Sequence, residues 1–186
     1  MPPRIKIVKE DIVRIAVDIA REHGAAAVNA RDIAAALHCS TQPIFSNFTT
    51  MDDLRFAVTE SAYALCRTYM KRETESGIYP QYKANGMAYI RFAKEEKELF
   101  KLLYMCDRSG ATIPEDSEMN NEMEGIVHNN TGLSDEETKL FHLEMWAFVH
   151  GIATMFATGF LDLDWELVSH MLTDAYQGLR KQYVLE

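Results

Sequence analysis

Apolar residues recur every three or four positions along nearly the whole chain, and this spacing predicts helices. Polar residues fill the intervening positions, while Gly, Pro, Asn and Ser clusters separate the segments. No segment shows the strict alternation of a strand, and there is no internal repeat or low-complexity tract. The sequence therefore predicts an all-α fold with about nine helices, at residues 9–23, two short ones between 29 and 47, then 51–74, 82–94, 97–108, 115–130, 135–160 and 165–182.

Capping residues locate several helix ends. Gly24 is predicted to stop the first helix, and Asp164 to cap the last. Ser134 followed by Glu137 is a capping-box signature that opens the longest C-terminal helix. A loop is predicted over 109–114.

The segment from Asn29 to Leu54 predicts a helix-turn-helix. Asn29 is a good N-cap for a helix ending near Leu37, after which His38, Cys39 and Ser40 interrupt the apolar pattern. Two helices joined by such a short turn place the second helix in the DNA major groove. Its cap is either Ser40 or Thr41, Pro43 lies in its first turn, and its surface is polar, with Thr41, Gln42, Ser46 and Asn47.

Charge distribution limits which part of the chain can meet DNA. The formal net charge is -9, but the excess is not uniform. Through Arg72 there are ten Lys or Arg against eight Asp or Glu, and nine against twenty beyond it. Because like charges repel, only the N-terminal part can dock on phosphates.

The cysteine content and the lack of long apolar runs predict the cellular compartment. Three cysteines without paired spacing argue against a disulfide framework. There is neither a signal-peptide pattern nor an apolar run approaching the roughly 18 residues that span a bilayer. We expect a cytoplasmic protein that does not enter a membrane.

The last two helices carry apolar stripes on more than one side, which is typical of helices shared with a partner. Meeting their symmetry mates, they would form a four-helix interface; the alternative is a helix pair buried within a monomer. The predicted interface residues are Phe148, Ile152, Phe156, Trp165, Val168, Leu172, Ala175 and Leu179.

Residues from about Lys9 to Tyr63 resemble the DNA-binding domain of TetR-type (tetracycline-repressor-like) transcriptional regulators. The resemblance rests on the Ile33-Ala34 pair, the turn at Ser40, the aromatic residues Phe45 and Phe48, and Asp53-Leu54. The later segment from Trp146 to His150-Gly151 resembles one subgroup of that family.

The resemblance implies a homodimer that binds a palindromic operator in double-stranded DNA, acting as a repressor that a small-molecule effector releases. It implies a DNA-binding domain at 1–55, extending into the fourth helix, and an effector-binding and dimerisation domain at 56–186. Three positions depart from the family pattern: Phe45 replaces a phosphate-contacting tyrosine, Met51 replaces a lysine, and His38 replaces the turn glycine and needs a left-handed backbone.

Candidate DNA contacts follow from the helix-turn-helix. Amide side chains can bond adenine, and Thr can offer a hydroxyl to phosphate and a methyl to thymine. The alternative for the polar residues of the second helix is a solvated face. Arg31 could reach a phosphate or could equally pair with Asp32 or a neighbouring carboxylate. Phe45 and Phe48 are expected to pack in the small domain's core, and Arg4, Lys6 and Lys9 form either a basic arm or a disordered end. The candidates are Arg31, Ser40, Thr41, Gln42, Pro43, Phe45, Ser46, Asn47, Thr49 and Thr50.

Candidate effector contacts are aromatic and methionine residues with a few polar tips, a lining that suits a mostly apolar ligand. Plain core packing is the alternative for each, although Trp146 and His150 are one turn apart and can stack. The candidates are Tyr63, Tyr89, Phe100, Tyr104, Met105, Trp146, His150 and Met155.

Two other functional classes remain open. Motifs of metalloproteases, zinc sites, phosphate loops and serine hydrolases are missing from the sequence, so no enzyme activity, metal or cofactor is predicted. A protein of this fold that binds a ligand or partner without DNA is one alternative. A redox-sensing regulator acting through Cys39 is another, while Cys66 and Cys106 are expected to pack as small hydrophobes.

Overall fold

The computed structural model describes residues 7–106 and 117–184, without the side chains of 117–119 and 184. Within these residues all regular secondary structure is helical, which confirms the predicted fold class. A short 3-10 helix, Ala25–Ala27, follows the first of nine α-helices. These are α1 (Lys9–His23), α2 (Ala30–Ala36), α3 (Gln42–Asn47), α4 (Met51–Glu75), α5 (Gln81–Glu95), α6 (Lys97–Tyr104), α7 (Ser117–Thr131), α8 (Asp135–Thr158) and α9 (Trp165–Val184).

The first compact unit runs to Leu65 and includes a second segment, Glu96–Cys106. Helix α1 packs on α2, α3 and α6. Gly24 ends α1 at a φ of 82°, as predicted, and an added Cβ there would lie 3.1 Å from Glu98 Oε2 on α6. Arg21 also donates a hydrogen bond of 2.8 Å to Glu96. Glycine at this position therefore allows α6 to pack closely against the end of α1.

The second unit comprises Cys66–Glu95 and the described residues from 117 onwards. Helix α8 is its centre and packs against α5, α7 and α9. Gly86 on α5 allows a close approach, because an added Cβ would lie 3.0 Å from Leu172 Cδ2 on α9. Ser134 and Glu137 form the predicted capping box, and Asp164 Oδ1 accepts from the N–H groups of Glu166 and Leu167.

The division of the chain differs from the predicted boundary at residue 55. That residue lies inside α4, whose first part to Leu65 belongs to the first unit and whose remainder belongs to the second. The first unit is also discontinuous, because α6 packs on α1 across a long separation in sequence. Apolar periodicity locates helices but does not reveal such long-range pairing.

Helix ends agree with the prediction to within a few residues, with one larger difference. Helix α6 was expected to reach Arg108 but ends at Tyr104. The predicted loop at 109–114 and the predicted start of α7 at Glu115 lie outside the described residues.

Helix α8 corrects the expectation that no segment approaches a membrane span. By length and composition alone this helix could cross a membrane, since it has 24 residues and its most apolar stretch has a mean hydropathy of 1.2. Its apolar character has a structural reason, since eight of its residues are buried against neighbouring helices of the second unit. A core helix of a soluble protein has the same character.

Candidate functional site

The turn between α2 and α3 has the backbone that the sequence required. His38 has a φ of 51° and is the one non-glycine residue with positive φ among those described. His38 N–H donates to Ala35 O, and Cys39 N–H donates to Ala34 O. Ser40 follows in the turn, and Thr41 is the N-cap of α3, although its side chain makes no capping bond. The prediction of a left-handed histidine is confirmed.

The start of α2 decides between the two interpretations of Arg31. Asn29 Oδ1 accepts from the N–H groups of Arg31 and Asp32, both at 3.0 Å. Asn29 Nδ2 in turn donates to Asp32 Oδ2 at 2.7 Å. Asp32 is thus occupied by its own N-cap, and the exposed Arg31 guanidinium makes no ion pair with any described residue. The alternative in which Arg31 pairs with Asp32 is therefore not seen in the structure.

Helix α3 buries one face and exposes the other. Ile44 and Phe48, four residues apart, are buried, whereas Phe45 is 52% exposed. The expectation that Phe45 packs in the core is wrong, because one residue of helix rotates a side chain by about 100°. Ile44 takes the inward position instead. Pro43 is half-buried in the first turn, and Gln42, Ser46 and Asn47 are exposed.

Two of the polar side chains on α3 fold back onto their own helix. Ser46 Oγ donates to Gln42 O at 2.9 Å, and Asn47 Nδ2 donates to Pro43 O at 2.8 Å. Each such bond uses a donor that would otherwise be free for a ligand. Gln42 makes no side-chain hydrogen bond to any described residue. Its amide is therefore the polar group of α3 whose N–H donors and carbonyl acceptor are both available to a ligand.

The start of α4 is closed by reciprocal capping. Thr50 N–H donates to Asp53 Oδ2 at 2.8 Å, and Asp53 N–H donates to Thr50 Oγ1 at 3.1 Å. The Thr50 N–H is therefore already bonded to Asp53, whereas the Thr50 hydroxyl can still donate its proton. Thr49 is exposed. Asp52 pairs with Arg55 at 2.8 Å.

A shallow groove of about 580 Å³ lies between the starts of α2, α3 and α4. It brings together a cation, an aromatic ring and small polar groups. Its lining residues are Asn29, Ala30, Arg31, Asp32, Thr41, Phe45 and Met51.

The predicted basic arm is described only at Lys9. Its Nζ lies 5.0 Å from the centroid of the Phe48 ring, a cation–π contact that ties the start of α1 to the end of α3. Arg4 and Lys6 lie outside the described residues.

Four effector candidates belong to the first unit. Tyr63 on α4 and Phe100 on α6 are buried, and both rings contact Tyr104, at centroid distances of 6.1 Å and 5.2 Å. Met105 follows α6 and is exposed. These three aromatic rings form one cluster between α4 and α6.

The other four candidates belong to the second unit, where three of them form a chain of contacts. Tyr89 Oη on α5 shares a hydrogen bond of 2.9 Å with His150 Nδ1 on α8. The His150 ring stacks on Trp146, with centroids 4.9 Å apart and planes 12° from parallel. This confirms the predicted stacking. Trp146 is exposed, and Met155 lies half-buried five residues after His150 on the same helix.

A second tyrosine–histidine contact joins the same two helices and was not predicted. Tyr82 Oη shares a hydrogen bond of 2.9 Å with His142 Nδ1. Burial raises the pKa of Tyr82, and the nearby Tyr176 adds to that rise. Burial also lowers the pKa of His142, against an opposing effect of Glu124. Both groups are therefore held neutral near pH 7. Only tertiary structure reveals this pair, since sixty residues separate its members.

The predicted interface residues divide into two groups. Ile152, Phe156, Val168 and Leu172 are buried within the single chain. Phe148 is exposed at 37%, and Trp165, Ala175 and Leu179 are half-buried.

The outer face of α8 instead carries an exposed apolar strip, which we call the α8 strip. Leu140 and Leu143 are 48% and 57% exposed, Ala147 is exposed, and Gly151 has open space around it. These positions recur at three- and four-residue steps, so they share one side of the helix. The repeat of Leu and small residues was visible in the sequence, but buried and exposed stripes have the same spacing.

None of the three cysteines, all of them in the described part of the chain, forms a disulfide. Cys66 is buried among apolar residues, as expected, but Cys106 is exposed because α6 ends before it. Cys39 in the turn is half-buried. Within the described ranges, no group of three His, Cys, Asp or Glu residues is placed to hold a metal ion.

The fold and these sites define an all-α protein with an N-terminal helix-turn-helix and a C-terminal helical unit. Residues 82–175 match the family of tetracyclin repressor-like C-terminal domains. This match covers half of the chain, and the protein belongs to that family of regulator-like domains.

A solved structure from Rhodococcus sp. RHA1, described as a protein with unknown function, is similar over 99% of both chains, with a TM-score of 0.73 and 19% sequence identity. This likeness shows a shared fold. No curated protein matches the sequence.

Proposed function

We propose that this protein is a dimeric, DNA-binding transcriptional repressor that a small-molecule effector releases from a palindromic operator in the cytoplasm. The observation that carries the proposal is the exposed surface of the helix-turn-helix. It combines an unpaired Arg31 guanidinium with the free amide of Gln42. These groups match the two needs of a DNA reader, a phosphate contact and a base-edge contact.

The DNA-contacting set is narrower than the sequence suggests. Gln42 and Thr41 are the main candidates for base edges, and Arg31 for phosphate. Ser46 and Asn47 retain acceptor oxygens but have committed a donor to their own helix. Ser40, Pro43, Thr49 and the Thr50 hydroxyl lie around this surface and act as secondary contacts.

Dimerisation is proposed to use the α8 strip with the exposed side of α9. Solvent-exposed leucines at helical spacing are costly unless a partner covers them. Small residues at Ala147 and Gly151 allow a second helix to approach closely. Two copies would then bring four helices together around a two-fold axis, which matches a palindromic operator.

Effector binding is proposed to involve the Tyr89–His150–Trp146 contacts. They offer an exposed indole face and a hydrogen-bonded imidazole, which suit an aromatic or apolar ligand with one polar group. The Trp165→Phe variant leaves Trp146 as the single tryptophan, so a ligand beside it shifts the tryptophan emission. In the Trp146→Phe variant, the same ligand should no longer change fluorescence or release the operator.

The direct test of DNA recognition compares variants on an operator obtained by in-vitro selection. Gln42→Ala combined with Asn47→Ala is expected to lose sequence preference while remaining a folded dimer. The matched control is Gln81→Ala, an exposed glutamine on α5 outside the helix-turn-helix and the proposed dimer interface. If the double variant keeps full specificity, these residues do not read the operator.

A second function is favoured by one specific observation. Phe45 and Met51 give the groove at the start of α3 an apolar part, so a protein that binds another partner there without DNA is the alternative. Failure of the wild-type dimer to select any DNA sequence would favour it.

A further inference from the structure

The exposed aromatic ring of Phe45 is the unexpected feature of the proposed DNA-reading helix. Helix α3 is anchored by Ile44 and Phe48, so the outward orientation of Phe45 is set by the buried pair. Its ring is 52% exposed, so it is open to contact with a ligand that docks on this face of the helix.

The chemistry around the ring limits what that contact is. No residue of α3, Gln42–Asn47, is charged. Because Ser46 and Asn47 donate to backbone carbonyls of their own helix, the fully available groups on the exposed side are the Gln42 amide and the Phe45 ring. They are three residues apart and share a face of the helix.

Those two groups correspond to the two edges of an A·T base pair in the major groove. An amide bonds adenine N6 and N7, and an apolar side chain contacts the 5-methyl group of thymine. Three residues of α-helix rise about 4.5 Å, and stacked bases along one strand rise about 3.4 Å. The two side chains can therefore reach neighbouring base pairs.

Resting on the proposed function, we infer that Phe45 is a specificity-determining residue that contacts the 5-methyl group of a thymine in each operator half-site, beside an adenine bonded by Gln42. Arg31 lines the same groove as Phe45 and supplies the phosphate contact that sets the helix in register. The operator core is then rich in A·T pairs.

The experiment uses the full-length protein and the operator that it selects from a random DNA pool. Each thymine is replaced in turn by deoxyuridine, which removes only the methyl group, and the dissociation constant is measured for each duplex. One thymine per half-site is expected to weaken binding by about fourfold when replaced, the value expected for one buried methyl.

The Phe45→Ala variant should bind the thymine and deoxyuridine duplexes equally. The matched control is Phe56→Ala on α4, whose ring is 51% exposed, and this variant should keep the methyl preference. Phe45→Leu, which retains an apolar group, should keep part of it. Circular dichroism of each variant establishes that the helices are retained.

Three results would overturn the inference. If no deoxyuridine substitution weakens wild-type binding, or if Phe45→Ala keeps the methyl preference, Phe45 does not read thymine. Neither result would contradict the proposal that the protein is a sequence-specific DNA-binding regulator. If the folded dimer selects no DNA sequence, the proposed function fails and this inference fails with it.

Discussion

At the scale of single residues, the helix-turn-helix shows how local hydrogen bonds select among options that the sequence leaves open. Asp32 is bonded to Asn29, so Arg31 keeps its charge free. Thr50 and Asp53 cap each other, so the Thr50 N–H is not free. Which of several adjacent polar groups pair depends on rotamers, and the residue pattern does not encode that choice.

Replacing Arg31 tests its proposed phosphate contact. Arg31→Ala should lower affinity for all DNA sequences alike and reduce the slope of log K against log salt by about 2 for the dimer, since each phosphate contact contributes about 0.9. Fluorescence anisotropy at several salt concentrations measures this slope. Arg14→Ala on α1, whose charge pairs with Asp11, is the control and should leave it unchanged.

The left-handed turn residue makes a second prediction at this scale. His38→Val should lower the free energy of unfolding by about 1–2 kcal/mol, because a β-branched residue is strained at a φ of 51°. His38→Gly should not lower it. Urea denaturation compares the two variants, and equal destabilisation by both would contradict the assignment of strain to this turn.

At the scale of helices, the sequence predicts elements well and their partners poorly. The capping box at Ser134 and the Asp164 cap are local signals, and both are present. The two tyrosine–histidine contacts between α5 and α8 join residues about sixty positions apart. The burial of Ile152 and Val168 likewise depends on which helix covers them, so an apolar stripe alone could not separate core from interface.

The Tyr82–His142 contact makes stability depend on pH. Because burial lowers the pKa of His142, the unfolded state binds more protons between the folded pKa and about 6.5. The contribution of neutral His142 to the free energy of unfolding is therefore complete above about pH 6.5, and it is lost as the pH falls towards the pKa of His142 in the folded protein.

His142→Gln should therefore lose less stability than wild type between about pH 7.5 and pH 5.5, since Gln can still accept from Tyr82 but does not titrate. Urea denaturation at the two pH values gives the difference. His170→Gln on the exposed side of α9 serves as control and should behave as wild type. An unchanged pH dependence in His142→Gln would mean that His142 is not the source.

At the scale of the whole molecule, the proposed regulation requires two helix-turn-helix units held at the spacing of two operator half-sites, about 34–36 Å. In this proposal an effector acts by favouring a different spacing, with a coupling of about 1–3 kcal/mol. The sequence predicted this scheme through the family resemblance. The surface proposed to hold two copies together could be identified only from the structure, because the structure separates the exposed α8 strip from the buried residues of the same helix.

A charge in the α8 strip tests the proposed dimer. Leu143→Glu should weaken the dimer roughly 30-fold or more, because an unpaired carboxylate in an apolar interface costs about 2 kcal/mol or more. Sedimentation velocity measures the dissociation constant. Ile78→Glu, at an exposed isoleucine outside the strip, should remain dimeric, and a dimeric Leu143→Glu would place the interface elsewhere.

The measurement that tests the central claim most directly is selection of DNA from a random pool by the purified wild-type protein at near-physiological salt. A dimeric regulator predicts enrichment of one palindromic motif with half-sites about one helical turn apart. A folded dimer that enriches no sequence would contradict the account.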